Sequence, residues 1–172
     1  GLSADRYTLE PGSLDPGTST NVQPTLLERE RGLELVAFVE DEWKVSPRFT
    51  IGAGLRYTAY KQLGPAELRR YAAGQELTES NLERVSFWGE GETAVEYGGL
   101  EPRLGLSYQL TPNTSLKASY ARSRQYLQNI YNATTPLPTS RWKVADINVG
   151  PQTADLASFG ISHVTPSGNY AF

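Results

Sequence analysis

The chain has 172 residues, with 16 Lys and Arg against 19 Asp and Glu, which gives a net charge of −3 at pH 7. It has no basic tract, which argues against nucleic acid as a partner, and no cysteine, which excludes disulfides and thiolate metal sites. The longest apolar run, LVAFV at residues 35–39, is far shorter than the ~20 residues of a membrane helix. The short apolar runs and the mean hydropathy of −0.45 do not exclude membrane-spanning strands, because such strands are apolar on just one of their two faces.

The chain begins with Gly1 and contains no methionine. We therefore expect a processed chain or a piece of a larger protein, with no signal peptide left to identify. Residues 2–9 are predicted to form a partial strand. Residues 10–32 are rich in Pro, Gly, Ser and Thr and are predicted to form a long connection.

Residues 33–46 and 48–61 are predicted to form a first β-hairpin. Apolar residues alternate with polar or small ones, so each strand has one apolar and one polar face. The segment Val-Ser-Pro at 45–47 marks the turn, since proline presets the backbone of such turns. Asp41 interrupts the apolar face of the first strand.

Residues 62–92 are predicted to form a second long connection. It contains the segment GPAELRRYAAG at 64–74, for which we predict a two-turn helix that ends at Gly74. A third long connection is predicted over residues 132–152.

Residues 93–110 and 114–130 are predicted to form a second hairpin, and residues 153–165 with the partial strand 168–172 a third. Their turns repeat the unit of an apolar residue, Ser or Thr, and Pro at 110–112 and 164–166. Short turns at one end and long connections at the other are typical of outer-membrane β-barrels. The predicted fold is therefore all-β: an antiparallel, up-and-down transmembrane β-barrel segment of about five to seven strands with long extracellular loops.

Two sets of side chains mark the two predicted faces. Aromatic residues near the edges of the apolar band form a predicted aromatic girdle, namely Trp43, Tyr57, Tyr108 and Tyr120. Charged residues on the polar face are predicted to face the barrel lumen, namely Glu40, Glu42, Arg56, Glu101 and Arg103. The positions of Arg56 and Glu101 relative to their turns predict that these two side chains meet across neighbouring strands.

The same alternation is compatible with a soluble β-sandwich that acts as a binding module, in which apolar faces pack sheet on sheet. The unequal connections and the aromatic positions favour the barrel. An enzyme is disfavoured, because we identify no catalytic residue, cofactor site or metal site. His163 lies beside a turn without an evident acidic partner, and the side chain of Asp41 points away from those of Glu40 and Glu42.

Three segments together resemble the barrel of TonB-dependent outer-membrane receptors, the Bacteroidetes-like branch in particular. They are LELVAFVEDEWKVSPRFTIGAGLRY at 33–57, YGGLEPRLGLSYQLTPNTSLKASYARSRQYLQ at 97–128 and LPTSRWKVADINVGPQTADLASFGISH at 137–163. The elements Asp-Glu-Trp, Gly-Leu-Arg-Tyr and Glu-Pro-Arg, with their turn spacing, carry the resemblance. It spans roughly residues 28–172.

The resemblance implies an outer-membrane receptor that imports a nutrient such as a metal chelate, an oligosaccharide or a peptide. Such receptors have a barrel of about 22 strands, an N-terminal plug domain and a motif that engages the energy-coupling protein TonB. We expect residues 1–172 to be part of the barrel domain with no plug domain present, since closing a barrel takes at least about 8 strands. The implied partners are outer-membrane lipid, the rest of the receptor with its plug domain, TonB through the missing part, and a surface lipoprotein. No cofactor is implied.

Overall fold

The structure, a computed structural model, consists almost entirely of β-strands and describes residues 1–10, 13–14, 25–26, 29–132, 139–165 and 168–171. The strands are β1 (Leu2–Leu9), β2 (Ser13–Leu14), β3 (Thr25–Leu26), β4 (Glu30–Ser46), β5 (Phe49–Leu63), β6 (Ala66–Tyr71), β7 (Leu82–Trp88), β8 (Thr93–Thr111), β9 (Thr114–Gln125), β10 (Leu127–Asn132), β11 (Thr139–Val144), β12 (Gln152–Thr165) and β13 (Gly168–Ala171). A turn of 3-10 helix lies at Glu79–Asn81. No helix among these described residues is long and apolar enough to cross a membrane.

Seven strands form one antiparallel sheet in the order β1-β4-β5-β8-β9-β12-β13, which is also their order along the chain. Two predicted hairpins are present, with β4 and β5 joined by the turn at 47–48 and β8 and β9 by the turn at 112–113. Strands β12 and β13 also pair, but the predicted Pro166 turn between them lies outside the described residues. The predicted all-β, up-and-down fold is thus confirmed, and the sheet does not close into a barrel by itself.

The long connections carry two-stranded sheets of their own, formed by β2 with β3, β6 with β7, and β10 with β11. The predicted helix over 64–74 is wrong, because this segment forms β6 and pairs with β7 from Ala66 opposite Trp88 to Arg70 opposite Arg84. Leu68 is buried at 6% exposure, so tertiary packing and strand pairing override the helix-favouring composition. Gly74 does adopt the left-handed backbone (φ 74°), but within the loop between the two strands.

The predicted strand 114–130 is divided in two. β9 ends at Gln125, and β10 starts at Leu127 and leaves the main sheet to pair with β11. The cause is Tyr126 between them, which is buried and whose carbonyl oxygen accepts a hydrogen bond from the Ala145 amide at 2.8 Å. That bond ties the chain to the segment after β11, so part of the predicted connection 132–152 is ordered as a hairpin.

The strand registers place the predicted apolar residues on one face of the main sheet. Val39 lies opposite Leu55 and Ala118 opposite Phe159. Val39 is 68% exposed and Phe159 70% exposed. The described part of the chain therefore leaves this face uncovered, unlike the face-to-face packing of the β-sandwich alternative.

An arginine at Leu106, on the apolar face, tests what this face contacts. If lipid lies against it, Leu106→Arg lowers the free energy of unfolding by about 2–4 kcal/mol. Ser107→Thr, on the opposite face of the same strand, is the matched control and changes it much less. The measurement is urea unfolding of the full-length protein in lipid vesicles, and equal tolerance at the two positions contradicts a lipid-facing surface.

Candidate functional site

The polar face of the main sheet carries a group of charged and hydroxyl side chains, Glu34, Arg56, Thr58 and Glu101, which we call the polar-face cluster and of which all but Arg56 are buried. Arg56 of β5 lies directly opposite Glu101 of β8, and Arg56 Nε is 3.9 Å from Glu101 Oε2. Thr58 follows two residues along β5 and so shares this face. Its hydroxyl donates to Glu101 Oε1 at 2.7 Å and accepts from Arg56 Nε at 3.2 Å.

Glu34 of β4 is the charged member of the cluster that the predicted set of lumenal residues lacks. Arg56 Nη2 lies 2.9 Å from Glu34 Oε1, nearer than Arg56 comes to Glu101. The hydroxyl of Tyr7 in β1 donates to Glu34 Oε2 at 2.7 Å. A signal for Glu34 was present in the sequence: it lies an even number of residues from Glu40 and therefore shares its face.

Burial determines the strength of these contacts. Glu101 is 2% exposed and Glu34 9% exposed, so both carboxylates have lost most of their water. Arg56 contacts both of them while its own side chain stays 34% exposed. Because a buried carboxylate that loses its cation is strongly destabilising, Arg56 is the group on which the cluster depends.

A second guanidinium reaches the same face from β9. Arg124 Nη1 donates to the Gly98 carbonyl at 2.7 Å, and a Cβ added at Gly99 would overlap the Arg124 guanidinium. Gly99 lies opposite Thr58 in the register. The missing side chain at Gly99 thus leaves room for the Arg124 guanidinium beside the polar-face cluster.

Glu40, Glu42 and Arg103 occupy the same face, nearer the short turns. Glu40 and Arg103 flank Gly54, where an added Cβ would be 3.2 Å from Glu40 Cβ and 3.8 Å from Arg103 Cβ. Within the described ranges, none of these three charged side chains forms an ion pair. Their predicted position in a barrel lumen stays a prediction.

The segment after β11 packs against this face, at the end of the sheet that carries the long connections. The rings of Tyr60 and Tyr126 stack with centroids 4.8 Å apart and an interplanar angle of 11°. The Tyr60 hydroxyl donates to the Ala145 carbonyl at 3.1 Å, and the Tyr97 hydroxyl to the Asp146 carbonyl at 2.7 Å. Sequence reasoning gave no role to these tyrosines, because no local pattern reports contacts between residues so distant in the chain.

Lys143 of β11 holds the same loop by charge. Its Nζ lies 3.0 Å from Glu30 Oε1 and 2.6 Å from Asp146 Oδ2. Asp146 Oδ1 accepts from the amides of Asn148 at 2.8 Å and Val149 at 2.7 Å. Burial lowers the pKa of Lys143, but the Asp146 and Glu30 carboxylates raise it more, so the net shift is upward and the ammonium stays charged at neutral pH.

The apolar face carries the predicted girdle residues. Trp43 lies opposite Ile51, Tyr57 opposite Leu100, Tyr108 opposite Phe49 and Tyr120 opposite Leu104. A polar group missed at the sequence level lies among them: Asp155 accepts from the Tyr120 hydroxyl at 2.7 Å and from Arg122 Nε and Nη2 at 2.7 and 2.9 Å. The girdle role itself stays a prediction.

His163 lies on the apolar side of β12, where its Nδ1 is 2.9 Å from Thr114 Oγ1. Among the residues that the structure describes, no three His, Cys, Asp or Glu side chains are grouped so as to hold a metal ion.

A family model described as "TonB dependent receptor-like, beta-barrel" matches residues 2–170. The chain belongs to this family. No curated protein and no solved structure matches it. TonB-dependent receptors are transport proteins of the bacterial outer membrane rather than enzymes, and the full receptor has a plug domain and interacts with TonB. The match bears on neither the Bacteroidetes-like branch nor a surface lipoprotein, which both stay predictions.

The polar-face cluster of this TonB-dependent receptor chain is tested by two double-mutant cycles on Arg56. Arg56→Ala is combined with Glu34→Ala in one cycle and with Glu101→Ala in the other, and the free energy of unfolding is measured for the full-length receptor. We expect coupling energies of about 0.5–3 kcal/mol, larger for Glu34 because its contact is shorter. Additive effects in both cycles contradict the cluster.

The charged anchor of the loop is tested by Lys143→Met, which leaves the buried carboxylates of Glu30 and Asp146 without their cation. We expect faster hydrogen exchange of the amides over 142–149 in the variant, because local opening of this loop becomes easier. Lys117→Met is the matched control, since Lys117 is exposed and forms no ion pair within the described ranges. Unchanged exchange in Lys143→Met contradicts the anchor.

Proposed function

We propose that residues 1–172 form part of the barrel wall of a receptor that imports a scarce nutrient across the bacterial outer membrane. The nutrient classes in question are a metal chelate, an oligosaccharide and a peptide. The observation that supports the proposal best is the two-faced sheet: one face exposes apolar side chains, and the other carries charged side chains, of which Glu34 and Glu101 are buried. This is the arrangement that a barrel wall between lipid and lumen requires.

The proposed orientation puts the long connections outside the cell and the short Pro turns in the periplasm. In outer-membrane barrels the periplasmic turns are short and the extracellular loops long. The β6–β7 and β10–β11 hairpins then stand on the external side, where loops held by a rigid scaffold contact ligands. The aromatic girdle would lie at the two membrane interfaces.

The proposed lumenal face contains Glu40, Glu42, Arg56, Glu101 and Arg103. Arg56 and Glu101 are engaged in the polar-face cluster, which assigns them a part in holding neighbouring strands in register. Arg103 is exposed and forms no ion pair within the described residues. Glu40 and Glu42 share these two properties, but Arg103 is the cation among the three, and we assign it to contact with the plug domain or with a passing ligand.

The orientation is tested with cysteines introduced at Gln75 and Asn113 of the full-length receptor. Both positions are exposed, Gln75 in the loop between β6 and β7 and Asn113 in the turn between β8 and β9. An impermeant thiol reagent added to intact cells should label position 75 and spare position 113, because only the former lies outside. After the outer membrane is opened, both should react. Labelling of position 113 alone in intact cells reverses the topology.

A further inference from the structure

The β6–β7 hairpin carries two arginines that face each other. Arg70 of β6 lies directly opposite Arg84 of β7 in the register. Cβ atoms of opposed residues in antiparallel strands are about 4.5–5.5 Å apart, and like charges in such pairs destabilise the sheet. The hairpin therefore places two guanidiniums side by side at an electrostatic cost.

On the other face of the same hairpin, Arg69 forms ion pairs with two carboxylates. Arg69 Nε lies 2.8 Å from Glu67 Oε1, and Arg69 Nη1 lies 2.6 Å from Glu79 Oε1. Arg70 and Arg84, in contrast, are exposed and have no hydrogen-bond or ion-pair partner within the described residues. The hairpin thus neutralises one arginine internally and leaves the opposed pair open to an external anion.

The strand that carries Arg70 is held in place by its neighbours. Leu68, two residues before Arg70 on the same face, is buried and lines a cavity of about 160 Å³ together with Lys143 and Asp146. The Asn148 side-chain amide donates to the Arg69 carbonyl at 3.0 Å, which ties β6 to the loop after β11. Arg70 follows Leu68 by two residues, about 7 Å along β6, and neither Arg70 nor Arg84 lines the cavity itself.

We propose that Arg70 and Arg84 form an anion clamp that takes a carboxylate or phosphate group of the imported nutrient. The inference rests on the proposed import function and adds to it the charge of the substrate. Two arginines opposed on neighbouring strands can both direct N–H donors at one such group, and guanidinium pairs well with carboxylate and phosphate in a bidentate way.

Binding is measured by calorimetric titration of the full-length receptor in neutral detergent, with citrate and inorganic pyrophosphate as probes. The Arg70→Gln and Arg84→Gln double variant should bind the better probe at least about tenfold more weakly than the unchanged receptor. Arg48→Gln, which removes an exposed arginine at the short turn between β4 and β5, should bind it unchanged. Affinity should fall as salt is added.

A stability measurement guards against a folding defect. Removal of two opposed like charges should leave the melting temperature unchanged or raise it. A saturating probe should raise the melting temperature of the unchanged receptor more than that of the double variant. Equal probe binding by the two proteins overturns the clamp, and so does equal loss in Arg48→Gln, which would show a nonspecific charge effect.

Phosphate groups of membrane lipids could occupy the same arginine pair. Receptor in vesicles containing anionic lipid A should keep its probe affinity if the clamp serves a soluble nutrient. Loss of probe binding only in these vesicles assigns the clamp to a lipid headgroup and overturns its role in nutrient capture. These outcomes are separate from the proposed function, because thiol labelling at position 75 reports the orientation of the hairpin whether or not an anion binds.

Discussion

Hydrogen bonding between strands that follow one another along the chain is the constraint from which the rest of this structure follows. In a bilayer every backbone amide and carbonyl needs a protein partner, and pairing between neighbouring strands supplies it. Once the short turns fix the register of β4 with β5 and of β8 with β9, every side chain is assigned to one of two faces. A shift of one residue would move Arg56 to the apolar face and Tyr57 to the polar one. The separation of faces thus depends on register, and the buried contacts between strands in turn favour that register.

The polar-face cluster shows this mutual dependence. Arg56 contacts Glu34 on β4 and Glu101 on β8, so one side chain spans three adjacent strands. Small residues make the crowding possible, since Gly54 and Gly99 leave space for the side chains of Glu40 and Arg124. A buried ion pair is weak evidence for stability by itself. Its clearer effect here is to favour the observed strand register over shifted ones, because a shift of β5 against β8 would leave Glu101 buried without its partners.

Local pattern was sufficient to predict the long strands, their two faces and the short turns. Each depends on alternation or on turn residues such as Pro47 and Pro112, which act over a few positions. It failed at β6, where the segment AELRRY has helix-favouring residues but pairs with β7 across a loop. It also failed at Tyr126, whose contacts with Tyr60 and Ala145 lie far away in the chain. Glu34 is an intermediate case: its face was predictable from parity, but its choice as the main partner of Arg56 required the geometry of three strands.

Charged side chains that are buried against the main sheet have partners, whereas two arginines on the β6–β7 hairpin have none in the part of the chain that the structure describes. Where side chains are buried against the sheet, carboxylates have partners: Glu34 and Glu101 contact Arg56, and Glu30 and Asp146 contact Lys143. The segment after β11 is tied by Tyr60, Tyr97 and Lys143, so it is part of the rigid scaffold and not a free loop. The β6–β7 hairpin is joined to that scaffold through Asn148, yet the described residues place no counter-charge beside Arg70 and Arg84. Because the backbone of this hairpin is already held, the ordering cost of binding an anion falls on the two exposed arginine side chains alone.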